Sequence, residues 1–539
     1  LGSNHILIYQ HAHLSLPRNP LEQTLDPTLV VIDENCVDAL ISNHIEIQPE
    51  LIRDYWVLPD HPRLGDTVMH ALKNDMPLWT ELANEGITVE DIAGIDLEDL
   101  APDIRFEPRA TRRPNIQGAT DYRALSQLRD LMVEEMSAGV NDRPLRVLYD
   151  QHKKVVRLAL KMPHRIPDTS NVLVLDATAQ LPVLQAIFPN ITMTQVDVRQ
   201  NAVVYQIYDR TGSNEYWKGR SAPIQELAEI LNTWGSLGYS VLCVSSMPVE
   251  KRLKSETQLD SHVQLNHFQN LRGTNAYEDC DIVFIVGRNE PPNSAIDLKG
   301  RALFWRDDPK LDPDVAINSK KSNVRLPLER RGYTQPYKTD EFEGVYVNAF
   351  TDPRFNALHQ MSREAETVQA MARLRMVRSQ RKKTVVLLSN VPVETEVHHV
   401  LKQDDLLPDK YAMAFLEAGH MPMSARGLYT CRPDLAKDEK AAYKLIETQP
   451  FFRAGRKRLM IPGLVRAVLV EARFKVKVDA ESNWSKQTHM FLLKTEVELD
   501  ESSEWMVGEL PFAKWEAQLR EAWRGAELTD LTFEYVKIP

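Results

Sequence analysis

Five short runs of β-branched and aliphatic residues, each closed by polar residues, limit most tightly what this chain can fold into: LVVID (29–33), NVLVLDA (171–177), SVLCVSS (240–246), DIVFIVG (281–287) and KTVVLLSN (383–390). Runs that are apolar at consecutive rather than alternate positions are covered on both faces, and they read as buried parallel strands. Amphipathic segments such as APIQELAEILNTWGSL and REAETVQAMARLRMVR lie between them. The result is the strand–helix alternation of an open α/β sheet. Such sheets bind ligands outside the carboxyl ends of their strands, so the residues that follow each run are where chemistry is to be sought.

From 46 to 165 the pattern turns helical, polar and Pro-punctuated, as in DTVMHALKNDMPLWTELANEG and TDYRALSQLRDLMVEEMSAG, which predicts a helix-rich insertion. From 401 to 539 the strand–helix alternation stops, and a β pair around RAVLVEARFKVKVDA with a helix at AKWEAQLREAWRGA predicts an α+β accessory domain without assignable chemistry. A content of 43% hydrophobic and 26% charged residues over 539 positions suits a soluble chain of several domains. Cys36, Cys243, Cys280 and Cys431 stand far apart with no CxxC pair, which argues for reduced thiols and against a zinc or iron–sulfur site. No run approaches the roughly 20 apolar residues of a membrane span, and the first residues lack a signal peptide's basic region and cleavage site, so a cytoplasmic protein is expected. The net charge of −11 confers no general affinity for nucleic acid, but basic residues cluster locally. One cluster is Arg363, Arg373, Arg375, Arg378, Arg381, Lys382 and Lys383; a second is Arg105, Arg109, Arg112 and Arg113; a third is Arg453, Arg456, Lys457 and Arg458.

Four segments carry candidate chemistry. Asp33 and Glu34 end the first strand with adjacent carboxylates, one placed to hold a magnesium ion and the other to orient or deprotonate an attacking water at a phosphoryl group. Asp176 and Thr178 follow the second strand, where a small hydroxyl-bearing segment could sense those carboxylates, although the same residues suit an ordinary Asx turn. In QAMARLRMVR a continuous helix is expected to carry Gln369 and Arg373 on one face, with Arg373 the preferred arginine finger, Arg378 next and Arg375 less favoured. In HFQNLRGTNAYEDCDIVFIVG, Arg272, Gly273, Thr274 and Asn275 precede a strand, and such residues can approach and bond the phosphates of a nucleic-acid strand.

In order and spacing these segments resemble a superfamily 2 helicase over roughly residues 5 to 390: VVIDEN is similar to motif II, VLVLDATA to motif III, SVLCVSS to motif IV, LRGTN to motif V and QAMARLRMVR to motif VI. The segment IYQHAHL is similar to the strand and turn that precede motif II in the DinG and XPD branch, which makes Tyr9, Gln10, His11 and His13 candidates for contact with nucleic acid. The insertion after motif II looks like that branch's arch. The chain departs from the DEAH pattern in carrying Asn35 and Cys36 after the two carboxylates.

The resemblance implies two RecA-like parallel-sheet lobes, the first incomplete. Residues 1–45 would hold the end of the first lobe with motif II, 46–165 the insertion, 166–400 a second lobe with motifs III to VI, and 401–539 the accessory domain. It further implies ATP and magnesium as cofactors, with Asp33 the metal ligand and Asp176, Thr178 and Arg375 near the nucleotide. Single-stranded or forked nucleic acid, DNA in preference, is the implied partner, in replication or repair, with no membrane.

No GxxxxGK[ST] phosphate loop occurs in the sequence. The expected function is therefore an ATP-dependent helicase or translocase whose phosphate loop comes from an upstream segment or another subunit, this chain alone being inactive as an ATPase. The alternative is a catalytically inactive relative that binds nucleic acid or a partner as a scaffold. A dinucleotide-binding or methyltransferase fold starting at VLVLDATAQ lacks the glycine fingerprint.

Overall fold

The structure, a computed structural model, describes residues 8, 10–15, 27–42, 45–97, 116–139, 141–196, 198, 200–219, 221–268, 270, 276–311, 326–335, 344–453, 467–478, 481, 483–495 and 512–536. The chain divides into two compact units. The first comprises Leu1–Val196, Glu290–Arg330 and Tyr346–Ala365; the second comprises Asp197–Asn289, Arg331–Val345 and Glu366–Pro539.

In the first unit, β1 (Leu29–Asp33) pairs in parallel with β2 (Asn171–Leu175), with Leu29 opposite Asn171 and Asp33 opposite Leu175. Side chains alternate across the pair. Val30, Ile32, Val172 and Val174 turn toward a core that includes Cys36, Leu40, Val183, Phe188, Ile296, Phe304 and Phe355. The other face shows Leu29, Val31, Leu173 and Leu175, each about half exposed. The Asn35 side chain accepts the Val37 amide hydrogen at 2.8 Å and so starts the short Val37–Leu40 helix straight after the strand.

Residues 45–161 build a second core in this unit. Helices Pro49–Tyr55, Leu64–Asn74, Leu78–Asn84, Val89–Ala93 and Ile116–Ala138 surround a three-stranded antiparallel sheet whose strands are Glu46–Ile47, Val155–Leu158 and Val147–Asp150. Trp56, Val68, Leu125, Leu128, Met132 and Val156 fill it, each contributing about 1.5–3 kcal/mol by leaving water. A capping box between Thr88 and Asp91 starts the Val89–Ala93 helix. The hairpin of this sheet, VLYDQHKKVVRL, was not among the strands expected from sequence. Arg146 ties the insertion to the Asn293–Phe304 helix and the residues after it: its guanidinium lies 3.7 Å from the Trp305 ring centre and 2.8 and 2.9 Å from Glu134 and Glu135.

The second unit holds a six-stranded parallel sheet: β3 (Ala202–Ile207), β4 (Val241–Ser245), β5 (Val263–His267), β6 (Ile282–Val286), β7 (Lys383–Leu388) and β8 (His399–Leu401), in the order β5-β4-β6-β7-β3-β8. β3, β4, β6 and β7 are buried along their whole length, as the apolar runs of β4 and β6 require. The chain is thus a mixed α/β protein with a parallel sheet. One expectation is corrected: NVLVLDA is not a strand of this sheet but the partner of β1, so residues 166–196 belong to the first unit, as do 290–330 and 346–365. A parallel partner distant in sequence leaves no local signature, which is why order along the chain misplaced it.

After β8 comes an antiparallel sheet of β9 (His420–Pro422), β10 (Ala467–Lys477), β11 (Thr488–Thr495) and β12 (Glu527–Val536), in the order β9-β11-β10-β12. The Phe512–Ala522 helix and the residues after it cover one face with Trp515, Leu519 and Trp523 against Val470, Ala472 and Phe474. Among the described residues no helix is long and apolar enough to cross a membrane.

Candidate functional site

In the first unit the parallel register brings two sequence-distant acidic segments to the same carboxyl end. Asp33 is the exposed last residue of β1, and the Glu34 amide donates to the carbonyl of Leu175, the residue before Asp176, at 2.9 Å. Glu34 adopts φ of 62°, a left-handed conformation that costs a residue with a Cβ about 1–2 kcal/mol. Strain of this kind gathers where a side chain is aimed for function. Asp176 is half-buried, and one of its carboxylate oxygens accepts both the amide and the hydroxyl of Thr178, each at 2.8 Å. Thr178 is therefore wound into the Asx turn that the sequence also allowed. Beneath lies Cys36, whose thiol burial pushes up to about 11; its backbone hydrogen bond opposes the shift and the nearby Asp176 adds to it. Cys36 is a neutral floor to the site, not a nucleophile.

Asp33 and Glu34 are the carboxylates this strand end could offer a divalent cation, which would need other ligands besides. Among the described residues no group of three or more His, Cys, Asp or Glu side chains could hold a metal by itself. No GxxxxGK[ST] phosphate loop occurs in the sequence to accompany it.

His11 and His13 lie in the same unit, in the 3-10 helix His11–Leu14, the first half-buried and the second exposed. The Leu14 carbonyl accepts the Arg165 amide at 2.7 Å, and the Ser15 hydroxyl donates to the Ala39 carbonyl at 3.3 Å. Tyr9 lies outside the described residues.

The arginines of the second unit depart from expectation. The Pro353–Ala372 helix contains Gln369 but ends before Arg373. Arg373, Arg375 and Arg378 stand in the turns that follow, with Arg375 at φ of 50°. Leu374 and Met376 explain the break, because burying both in one core cluster takes the chain out of helical register. Facing arguments based on helical spacing therefore stop at Arg373. The turn caps the amino end of the parallel sheet: the Asn201 amide donates to Met376 at 3.2 Å, and the Asn201 side chain to Ser379 at 3.1 Å. Arg272, Gly273, Thr274 and Asn275 lie outside the described residues, as do Arg105, Arg109, Arg112, Arg113, Arg456, Lys457 and Arg458.

The carboxyl end of this sheet holds a polar group of its own. The chain leaves β4 outward to β5 but leaves β6 the other way to β7, which makes the β4–β6 boundary a topological switch point. Beside it, His267 lies 2.6 Å from Glu250, which also accepts from Lys254 at 2.6 Å. Burial alone would raise the Glu250 carboxyl, but hydrogen bonds from Lys254 and His267 outweigh it and hold the group below its usual range. Asn266 bonds the Tyr277 hydroxyl and the Asn270 amide at 2.8 and 2.9 Å. The loops after β3 and β6 meet through Gly212 and Gly287, both at positive φ, and a Cβ on Gly287 would lie 2.6 Å from the Gly212 carbonyl oxygen.

No protein-family model, no curated protein and no solved structure matches this chain.

Proposed function

We propose that this chain is the greater part of an ATP-dependent nucleic-acid translocase of the superfamily 2 helicase type, acting on DNA, with its phosphate loop supplied by polypeptide outside these residues. The observation that carries the proposal is the pairing of β1 with β2. Two segments about 140 positions apart, singled out separately as a carboxylate pair and as a hydroxyl-bearing segment able to sense it, lie side by side with Asp33, Glu34 and Asp176 at one carboxyl edge.

In this reading Asp33 would hold a magnesium ion, which would supply positive charge at the nucleotide phosphates when bound. Glu34, aimed by its left-handed backbone, orients the attacking water and takes its proton. Asp176 and Thr178 form a rigid turn beside them that fixes the strand end. In the second unit Arg373, with Arg375 and Arg378 after it, offers positive charge to phosphate.

The test is nucleic-acid-stimulated ATP turnover by this chain together with the polypeptide that supplies the phosphate loop. Glu34→Gln keeps nucleotide affinity and lowers turnover by about a hundredfold or more. Undiminished turnover would sink the assignment of the strand-end carboxylates. An absence of turnover in the unaltered assembly, with salt-dependent single-strand binding retained, would favour the scaffold reading instead.

A further inference from the structure

The region after residue 400, to which the sequence assigns no chemistry, has an element order of its own. The Lys410–Ala418 helix leads to β9, then to the Ala425–Cys431 and Glu439–Thr448 helices, then to the β10–β11 hairpin, with β9 pairing antiparallel against β11, the second strand of that hairpin. This is the element order and strand pairing of a helix-turn-helix with a β-hairpin wing, here with a longer connection between its helices, and in that arrangement the later helix of the pair is presented to a groove of DNA.

Its local chemistry is consistent. Gly419, at φ of 67°, ends the first helix. The Ser424 hydroxyl caps the second by accepting the Gly427 amide at 3.1 Å, and Asp438 caps the third by accepting the Ala441 amide at 2.7 Å. The intervening turn is pinned by buried Arg432, which donates to the Ala414 carbonyl of the first helix and forks onto Asp434 at 2.9 and 2.6 Å. Tyr411, Phe415, Met421, Leu428, Ala442, Leu469, Phe491 and Leu493 bring all three helices and the three strands into one core.

With Ala442, Leu445 and Ile446 turned inward, the third helix exposes Lys440, Tyr443 and Lys444. Lys440 and Lys444 are one turn apart, and exposed Lys437 precedes the helix. Of the acidic residues on it, Glu447 is engaged by the Tyr443 hydroxyl and Glu439 sits in the first turn, where it complements the helix dipole. The wing between β10 and β11 exposes Trp484 and Lys486.

We infer that the face formed by the Glu439–Thr448 helix and the described residues of the β10–β11 hairpin binds double-stranded DNA, with that helix in the major groove, Lys440 and Lys444 against backbone phosphates, and Trp484 and Lys486 against the adjoining backbone. The B-form major groove admits a helix, whereas the A-form groove of duplex RNA is too narrow for one, so the ligand is DNA. The inference is independent of the motor reading, because no residue in it takes part in the proposed turnover.

It is tested by fluorescence anisotropy of the full chain on a short DNA duplex, without nucleotide, across a salt series. The doubly substituted Lys440→Glu, Lys444→Glu chain loses about tenfold or more in duplex affinity, and the dependence of log affinity on log salt shrinks by about 2. The paired Lys→Arg substitutions retain affinity. Unchanged duplex binding by the Glu variant, with circular dichroism and melting unaltered, would overturn the inference. So would equal affinity for duplex RNA. No salt-dependent duplex binding by the unaltered chain would also overturn it.

Discussion

Glu34 and Glu250 show at single-residue scale how the fold prepares charge. Glu34 holds a left-handed backbone that its side chain disfavours, and it is the residue that follows the exposed carboxylate of Asp33. The sequence marked the carboxylate pair but could not mark the strain, because nothing in VVIDEN distinguishes a strained turn from a relaxed one. Glu250 shows a different limit: its partner His267 is 17 positions away and meets it only because β4 and β5 are adjacent. With its carboxyl held below the ordinary range, Glu250 contributes stability that is fully present above the unfolded carboxylate pKa of about 4.3 and is lost as pH falls through the depressed value. Thermal melting of Glu250→Gln against the unaltered chain should therefore show a deficit near neutral pH that narrows below about pH 5. A deficit that grows on acidification would contradict that sign.

At the scale of elements, the strands announced themselves best. The runs at 240–246, 281–287 and 383–390 are central strands of one parallel sheet, legible because complete burial demands unbroken apolar sequence. The same rule left AVVYQI (202–207) unremarked although it lies beside β7, because Tyr205 and Gln206 interrupt the run. Buried Gln206 is satisfied by the Ser389 and Val391 carbonyls at 2.9 and 2.7 Å, contacts that only the tertiary structure supplies. Helix ends were less legible than helices: the arginines placed on a helix lie beyond its end, since burial of Leu374 and Met376 prevailed over local helix propensity. Loop geometry at the sheet's carboxyl edge makes a prediction of its own. Gly287→Ala places a Cβ 2.6 Å from the Gly212 carbonyl at a φ of 74°, and should destabilise the second unit by about 1–3 kcal/mol in chemical denaturation. An unchanged midpoint would mean that the two loops part readily.

Over the whole molecule, composition and strand pattern foretold a mixed α/β chain, but not how the chain is shared between units. The polypeptide leaves the first unit after Val196, returns to it at Glu290 and leaves it again at Arg330, an interlacing that no linker composition signals. The accessory region shows the same gap at domain scale: its strand and its helix were read individually, while the order β9-β11-β10 that turns them into a wing exists only in the pairing. Turnover of ATP along nucleic acid at the acidic strand ends of the first unit is tested most directly by ATP hydrolysis in the assembly containing the phosphate loop, with and without single-stranded DNA, for the unaltered chain and for Asp33→Asn. The expected result is strand-stimulated hydrolysis that Asp33→Asn lowers by about a hundredfold or more. Hydrolysis indifferent to the strand, or undiminished in Asp33→Asn, would refute this role.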